Sequence, residues 1–318
     1  MTRPRAPSIA ASIVSGDRRA LARAITAVES GDASADALLR AIFPRTGRVP
    51  VVGIAGPLGV GKSSLINLLT AHLRSLGKSV GVVAVDPSSP FSGGSVLGDR
   101  IRFERRADDR DVFFRSMASR GAAGGLASTT RDVARLLEAA GFDVVLVETV
   151  GSGQVDVAIR GVATTRVVVL VPHLGDQVQT LKAGLFEIAD VFCVNKSDLP
   201  GAETAERDLA ELASLGPAPD GWRSRIVRTS TVAPSGIPQL WAAVEAHERF
   251  RADAPDHAAE LRRRIEEEIV GRVGDVLSRE IAQRLATDPS LRKLVDRVVA
   301  RELDPRSAAE RLIPPARR

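Results

Sequence analysis

The chain has 318 residues, 44% of them hydrophobic and 26% charged, which is typical of a soluble globular protein with one large domain or two. Its 44 Lys and Arg residues outnumber its 39 Asp and Glu residues, but aromatic residues make up only 3%, so no basic stretch is interleaved with stacking rings and we expect no nucleic-acid partner. We also expect no membrane partner and a cytoplasmic location, because no apolar run approaches the roughly 20 residues of a membrane span, the N-terminus lacks a secretory signal and the single cysteine cannot form an internal disulfide.

Helical spacing of apolar residues predicts two short helices ahead of the core. Leu21, Ile25 and Val28 fall on one helical face, and Leu38 and Ile42 fall on another. A Ser-Gly-Asp turn separates the two patterns.

Apolar runs then alternate with helical patterns from residue 49 to residue 250. The predicted strands are Val51–Ala55, Val80–Val85, Val144–Val147, Val167–Val171, Val191–Val194 and Ile226–Val227. Such alternation is typical of an α/β fold with a doubly wound, mostly parallel sheet. We therefore expect three parts, namely an N-terminal helical segment (residues 1–48), the α/β domain (residues 49–250) and a C-terminal helical arm (residues 251–318).

The first predicted strand leads directly into a loop with the spacing GxxxxGK[ST], followed by an amphipathic helix. Strand, loop and helix together are the context of a phosphate-binding loop. Its glycines let backbone N–H groups point at the β-phosphate, Lys62 adds a positive charge at the β- and γ-phosphates, and Ser63 offers its hydroxyl to Mg²⁺. The expected nucleotide contacts are Gly56, Pro57, Leu58, Gly59, Val60, Gly61, Lys62, Ser63 and Ser64.

Acidic residues follow two further strands. Asp86 ends the second predicted strand, where it can bind Mg²⁺ through water, although an Asp in that position is more often a cap or turn former. Glu148 follows the third strand, and its carboxylate can orient the attacking water or bind Mg²⁺ through water. Between them, the Gly-rich stretch 93–102 carries the carboxylate of Asp99 and two guanidiniums, one of them from Arg102, which is typical of a nucleotide switch loop.

The sequence Asn195-Lys196-Ser197-Asp198 closes another predicted strand and indicates which base binds. Asp198 can accept hydrogen bonds from the N1–H and the 2-amino group of guanine, whereas adenine has neither donor. Asn195 is placed for the other guanine edge, and the stem of Lys196 can lie on the purine face. Because this motif follows a phosphate-binding loop, it predicts GTP or GDP as the bound nucleotide.

Beyond residue 250 the pattern changes to one long helix with a single apolar stripe. Leu261, Ile265, Ile269 and Leu277 recur at helical spacing among Glu and Arg residues, and two shorter helices follow. An apolar stripe beyond a complete domain must be covered, either by the chain's own core or by a second subunit.

Together these motifs closely resemble those of the MeaB/ArgK-like GTPases. These are the methylmalonyl-CoA mutase-associated GTPases, which are also labelled arginine/ornithine transport ATPases. The matching stretches are, in order, GPLGVGKSS, DPSSP, GGSVLGDRIR, SRGAAGGL, ETVGSGQ, LGDQVQTLKAGLFEIAD and NKSD. The resemblance extends from residue 16 to residue 312 and so covers nearly the whole chain.

This resemblance implies a P-loop GTPase that binds an adenosylcobalamin-dependent acyl-CoA mutase, with methylmalonyl-CoA mutase as the first candidate. Such a protein gates the loading and release of the mutase cofactor and protects or reactivates the mutase. It hydrolyses GTP slowly alone and faster with the mutase. The resemblance also implies a homodimer formed through the C-terminal helical arm.

The resemblance also assigns roles to individual residues. The expected catalytic residues are Lys62, Glu148, Lys182 and Arg102. The expected Mg²⁺ neighbours are Ser63, Asp86, Asp99 and Glu148. The loop from Pro172 to Lys182 is expected to couple the nucleotide state to the mutase. A further base-contacting loop is expected at Thr229, Ser230 and Thr231.

Four other functions share part of the pattern. A metallocentre-maturation GTPase would carry His-rich or Cys-containing metal ligands, whereas this chain has 4 dispersed His and 1 Cys. A signal-recognition GTPase would carry a Met-rich domain, and the chain has only 2 Met. A small-molecule kinase linked to arginine or ornithine transport would use the phosphate-binding loop without the guanine motif. A purely structural scaffold would hydrolyse no GTP.

Overall fold

The computed structural model describes residues 6–86, 109–118, 123–149, 159–172, 185–215 and 221–312. The chain divides into two compact units, Met1–Leu261 and Arg262–Arg318. The described residues of the first unit form a parallel sheet with helices on both faces, and those of the second unit are helical. Among the described ranges, no helix combines the length and the hydrophobicity that a membrane span requires.

The described elements alternate between strand and helix through most of the first unit. The strands are β1 (Val51–Ala55), β2 (Val80–Asp86), β3 (Val112–Ala118), β4 (Val144–Glu148), β5 (Thr165–Leu170), β6 (Val191–Val194) and β7 (Arg225–Arg228). The helices of this unit are α1 (Ala6–Val14), α2 (Arg18–Ser30), α3 (Ala33–Ile42), α4 (Lys62–Ser75), α5 (Ala123–Ala139), α6 (Leu185–Ile188), α7 (Ala202–Leu215) and α8 (Ile237–Asp253).

The described strands form one seven-stranded sheet in the order β3-β2-β4-β1-β5-β6-β7. Every neighbouring pair is parallel, and β1 lies at the centre between β4 and β5. This confirms the predicted doubly wound parallel sheet. Because all seven strands point the same way, the loops that follow them meet at one edge, which is where such sheets bind ligands.

Both faces of the sheet are buried, as the continuous apolar strand sequences predict. Alternate residues of β1 point to opposite faces, so Val52 and Ile54 belong to a core cluster with α4 and α8. Val51 and Ala55 belong to the other cluster, which includes residues of α5 and α7. That second cluster also contains the buried faces of α1, α2 and α3, so the N-terminal helices share a hydrophobic core with the sheet.

Two elements were not predicted from the sequence, strand β3 and helix α1. In β3 the apolar run is broken by Arg115 and Ser116, because this strand forms the edge of the described sheet. Arg115 forms an ion pair with Glu29 of α2, so the edge strand is held by a charged side chain where an inner strand would carry an apolar one. The two helices that were predicted in this region correspond to α2 and α3.

The long predicted helix is α9 (His257–Thr287), and the two shorter helices are α10 (Pro289–Val299) and α11 (Pro305–Leu312). Asp288 caps α10 by accepting a hydrogen bond from the Ser290 backbone N–H at 2.8 Å. Helix α9 has no buried residue, and its apolar stripe is solvent-exposed in the described part of the chain. The exposed apolar residues of α9 and α10 are Leu261, Ile265, Ile269, Val270, Val273, Val276, Leu277, Val295 and Val299.

Candidate nucleotide-binding site

The predicted site residues come from separate parts of the sequence and meet at the carboxyl edge of the sheet. The loop 56–61 follows β1, and Glu148 is the last residue of β4. Asn195 follows β6 and Thr229 follows β7. The strand register places Ile54 beside Glu148 and Val194 beside Arg228, so these strands end at similar heights.

The phosphate-binding loop ends at the N-terminus of α4. Gly61 precedes the helix in a left-handed conformation with a φ of 95°, and no side chain of the described residues caps the helix N-terminus. The N–H groups of a first helical turn are unsatisfied within the helix itself, and the helix dipole makes that end attract anions. The loop therefore has the geometry that a phosphate group requires.

The side chain of Lys62 lies along this loop and is only 6% exposed. Its Nζ donates hydrogen bonds to the carbonyl oxygens of Gly56 at 2.7 Å and Pro57 at 3.0 Å. The loop carbonyls thus hold the ammonium group against the loop. A buried ammonium at a helix N-terminus favours a multiply charged anion, which agrees with the predicted phosphate role.

Ser63 and Glu148 are in direct contact. The Ser63 hydroxyl donates to Glu148 Oε1 at 2.6 Å, and the Glu148 side chain is 6% exposed. Asp86 ends the neighbouring strand β2, two residues past Ala84, which pairs with Glu148. The backbone of Asp86 is described, but its side chain lies outside the described residues. Hydroxyl and carboxylate oxygens are the ligands that Mg²⁺ prefers, so the donor set at Ser63 and Glu148 fits that ion.

No group of three or more His, Cys, Asp or Glu side chains among the described residues could hold a metal ion. A magnesium ion bound by Ser63 and Glu148 would need further oxygen ligands. Mg²⁺ commonly obtains these from substrate phosphates and water, in addition to one or two protein ligands.

The guanine motif is bonded directly to the phosphate-binding loop. Asn195 is fully buried, and its Nδ2 donates to the Val60 carbonyl oxygen at 2.8 Å. Lys196 has a left-handed backbone with a φ of 55°, and its Nζ donates to the Gly59 carbonyl oxygen at 2.9 Å. Two direct hydrogen bonds therefore join the predicted guanine motif to the phosphate-binding loop.

The loop after β7 orients the carboxylate of Asp198. The Ser230 hydroxyl donates to Asp198 Oδ1 and accepts a hydrogen bond from the Ala233 backbone N–H at 3.2 Å. Ser230 and Ser235 also pair through both backbone hydrogen bonds, which closes the loop. The loop after β7 therefore holds the Asp198 carboxylate in place, and its expected reading of guanine stays a prediction.

A family model described as methylmalonyl-CoA mutase-associated GTPase MeaB matches residues 21–286. The chain belongs to the MeaB family. A relative from Pyrococcus horikoshii is 43% identical over 93% of this chain and 93% of its own length. The GTPase ArgK of Escherichia coli is 37% identical over 72% of each chain. The mouse methylmalonic aciduria type A homolog, a mitochondrial protein, is 31% identical over 95% of this chain and 77% of its own length.

The fold comparison agrees with the family. The crystal structure of an LAO/AO transport system kinase superposes with a TM-score of 0.73 and 25% sequence identity, covering 98% of this chain and 97% of that one. The predicted P-loop GTPase fold is thereby confirmed, and this MeaB-family protein is a GTPase that binds GTP and GDP and hydrolyses GTP.

Some of the predicted site residues of this MeaB-family GTPase lie together in the structure, and others lie outside the described residues. Lys62, Ser63, Glu148, Asn195 and Asp198 are brought to one edge of the sheet. Asp99, Arg102 and Lys182 lie outside the described residues, and their roles stay predictions.

Thr229 differs from the expectation of a base-contacting loop. It is fully buried, and its hydroxyl donates to Asn195 Oδ1 at 3.1 Å. In this structure it therefore contacts the guanine motif from the protein interior. Asn195 likewise uses both ends of its amide in protein contacts, and its expected reading of the guanine edge stays a prediction. No sequence pattern indicated the Thr229 contact. It follows from the parallel register of β6 and β7, which pairs Val194 with Arg228, the residues just before Asn195 and Thr229.

A second buried polar cluster lies at the opposite, amino-terminal edge of the sheet. His247 is 1% exposed, with Nδ1 at 2.8 Å from the Thr165 hydroxyl and Nε2 at 3.4 Å from Asp190 Oδ1. Asp190 is also paired with Arg166, whose guanidinium donates to both carboxylate oxygens. Burial lowers the pKa of His247, and the neighbouring carboxylates of Asp190 and Glu248 oppose that shift. This cluster ties α8 to the starts of β5 and β6.

Proposed function

We propose that the chain is a GTP-hydrolysing chaperone for an adenosylcobalamin-dependent acyl-CoA mutase, with methylmalonyl-CoA mutase as its client. The main support for guanine-nucleotide binding is the direct hydrogen bonding between the guanine motif and the phosphate-binding loop. The choice of a mutase as the partner is supported by the description of the matching family and by the name of the mouse relative. In this role the protein gates loading and release of the mutase cofactor and protects or reactivates the mutase.

In the proposed hydrolysis, Lys62 neutralises charge on the β- and γ-phosphates, after exchanging its bonds to the loop carbonyls for phosphate oxygens. Ser63 and Glu148 would hold Mg²⁺, with Asp86 and Asp99 as further acidic neighbours. The ion would supply charge neutralisation on the phosphates. Alternatively, Glu148 would orient the attacking water. Asp198 would accept hydrogen bonds from the guanine ring.

The proposed switch is formed by residues outside the described ranges. Arg102 and Lys182 would approach the phosphates when binding of the mutase drives the switch loops to close. Supplying one such cationic group accelerates GTP hydrolysis by about 10³–10⁵ in other GTPases, so a low rate without the mutase is expected.

The direct test is GTP hydrolysis by the full chain, alone and with each purified candidate mutase. The expected result is co-purification with one mutase and a higher rate in its presence. Lys182→Ala should lower the stimulated rate far more than the basal rate, while the control Lys78→Ala should change neither. Equal loss of both rates in Lys182→Ala would contradict the switch role, and no stimulation by any acyl-CoA mutase would contradict the chaperone role.

We also propose that two copies form a homodimer through the apolar stripe of α9. Ile269 is 56% exposed and Val273 is 53% exposed, although both are apolar. Burial of apolar surface contributes about 25 cal/mol of favourable free energy for every Å² removed from water, so packing this stripe against a second copy is favourable.

The test of the dimer is light scattering of the full chain during gel filtration. Ile269→Asp should halve the mass, because a carboxylate in the buried stripe would be unpaired. The control Leu76→Asp places the same charge at the apolar residue that directly follows α4 and is 52% exposed, and it should leave the mass unchanged. A monomeric wild-type protein would contradict the proposal.

A second candidate function is supported by the name of the similar LAO/AO transport system kinase. In that case the γ-phosphate of a nucleotide would be transferred to arginine, ornithine or another metabolite instead of water. Incubation with labelled GTP and each amino acid distinguishes the two functions, since a kinase yields a phosphorylated metabolite and a GTPase yields inorganic phosphate alone.

A further inference from the structure

Four buried groups form a continuous chain of hydrogen bonds from the interior of β6 to the phosphate-binding loop. Cys193 Sγ lies 3.1 Å from Thr229 Oγ1, and Thr229 Oγ1 lies 3.1 Å from Asn195 Oδ1. Asn195 Nδ2 lies 2.8 Å from the Val60 carbonyl oxygen. Cys193, Thr229 and Asn195 are 0% exposed, and Val60 is 2% exposed, so water does not compete for any of these bonds.

The direction of each hydrogen bond in this chain is fixed by chemistry. The Val60 carbonyl can only accept, so the amide atom beside it must be the Asn195 nitrogen and the atom beside Thr229 must be the oxygen. That oxygen can only accept, so the single hydroxyl proton of Thr229 points to Asn195. The remaining contact of Thr229 must then be donated by the Cys193 thiol.

The Cys193 thiol is suited to this donor role at any physiological pH. Burial raises the pKa of Cys193 to about 12, so the sulfur keeps its proton. A thiolate in the same place would face a hydroxyl with no proton left to donate, and the order of the chain would be lost.

A second contact makes the position of the Asn195 amide critical for the loop. Gly61 packs directly against it, so that a Cβ at residue 61 would lie 2.6 Å from Asn195 Nδ2. The amide therefore holds Val60 by a hydrogen bond and borders Gly61 by van der Waals contact. Both are residues of the loop that surrounds the phosphates.

We infer that Cys193 and Thr229 are positioning residues for guanine-nucleotide binding. They act behind Asn195, fixing its amide in the one orientation that holds the phosphate-binding loop in its anion-binding shape. This inference rests on the proposed nucleotide contacts of Asn195 and the loop. It assigns to Cys193 and Thr229 a function in affinity, although neither side chain is exposed at the site.

The experiment measures binding of a fluorescent GDP analogue to the full chain with Mg²⁺. Thr229→Val keeps the shape of the side chain but removes the hydroxyl, so the Asn195 amide loses the bond that orients it. We expect GDP affinity to fall about ten-fold, because a buried acceptor is left without a donor. Thr229→Ser restores the hydroxyl and should recover most of the affinity.

Thr70→Val is the matched control. Thr70 of α4 is also 0% exposed, and its hydroxyl has no hydrogen-bond partner among the described residues. The same substitution there should leave GDP affinity unchanged and thermal stability equal or higher. Cys193→Ala should weaken GDP binding in the wild-type background. It should cause no further loss in Thr229→Val, because that substitution already interrupts the series of hydrogen bonds.

Two results would overturn the inference. If Thr229→Val bound GDP with the same affinity as the wild-type protein, Thr229 would be a purely structural residue, even if the variant melted at a lower temperature. Additive losses for Cys193→Ala and Thr229→Val would show that the two do not act through one chain. Failure of the wild-type protein to bind GDP would instead overturn the proposed function, and this inference with it.

Discussion

Two glycines of the phosphate-binding loop provide a sensitive test of the contact between the loop and Asn195. Gly59 and Gly61 both have positive φ angles, 82° and 95°, so an L-residue at either position is strained. They differ in their surroundings. A Cβ at Gly59 would meet nothing within 4 Å, whereas a Cβ at Gly61 would lie 2.6 Å from Asn195 Nδ2.

The expected magnitudes follow from these surroundings. Gly59→Ala should lower the free energy of unfolding by about 1–2 kcal/mol, the cost of one L-residue in a left-handed conformation. Gly61→Ala has the same conformational cost and also displaces the buried Asn195 amide from the Val60 carbonyl. Leaving those groups unpaired adds about 1–3 kcal/mol, for a total of roughly 2–5 kcal/mol.

Urea unfolding of the nucleotide-free protein, followed by tryptophan fluorescence, is the appropriate assay. Both tryptophans, Trp222 and Trp241, lie in the unit Met1–Leu261, so the signal reports the unit that contains the loop. Equal destabilisation by the two substitutions would refute the reasoning, because it would mean that the Asn195 contact contributes nothing beyond the backbone strain.

Three further predictions concern single residues. Asp198→Asn should weaken the preference for GDP over ADP by about 10² or more in fluorescence titrations, since the amide cannot accept both guanine hydrogen bonds; an unchanged preference would contradict base reading by Asp198. The native protein should show no thiol reactive with a chromogenic disulfide, and one after unfolding, because Cys193 is buried and its pKa is raised to about 12; a rapid native reaction would contradict its burial. Burial lowers the pKa of His247 in the folded protein. As the pH falls below the ordinary value of 6.5, the unfolded chain therefore binds a proton at this residue before the folded protein does, and the free energy of unfolding decreases. His247→Gln should therefore flatten the decline of the urea midpoint between about pH 7 and pH 5, and a steeper decline in the variant would reverse the sign of this argument.

The sheet was largely predictable because its five inner strands are apolar on both faces. The edge strand β7 was recognised from its short apolar pair, Ile226 and Val227. The edge strand β3 was not, since Arg115 and its ion pair with Glu29 break the apolar run. The long C-terminal helix was predictable as one continuous element, because a stripe of apolar residues repeats at helical spacing over many turns.

The candidate site was predictable at the level of motifs and not at the level of contacts. GxxxxGK[ST] and NKSD each identify residue types at fixed spacing, but their bonding to each other joins residues more than 130 positions apart. The inward direction of Thr229 and the donor role of Cys193 depend on side-chain packing between β6 and β7. A sequence pattern cannot distinguish a threonine that faces the base from one that faces the core.

We propose that one guanine nucleotide is bound by the phosphate-binding loop and by Asp198 at the same time. Titration calorimetry of the nucleotide-free full chain with GDP and then with ADP, both in Mg²⁺, tests it most directly. We expect saturable heat for GDP with one site per chain and no measurable binding of ADP. No heat with GDP, or equal affinity for the two nucleotides, would contradict it.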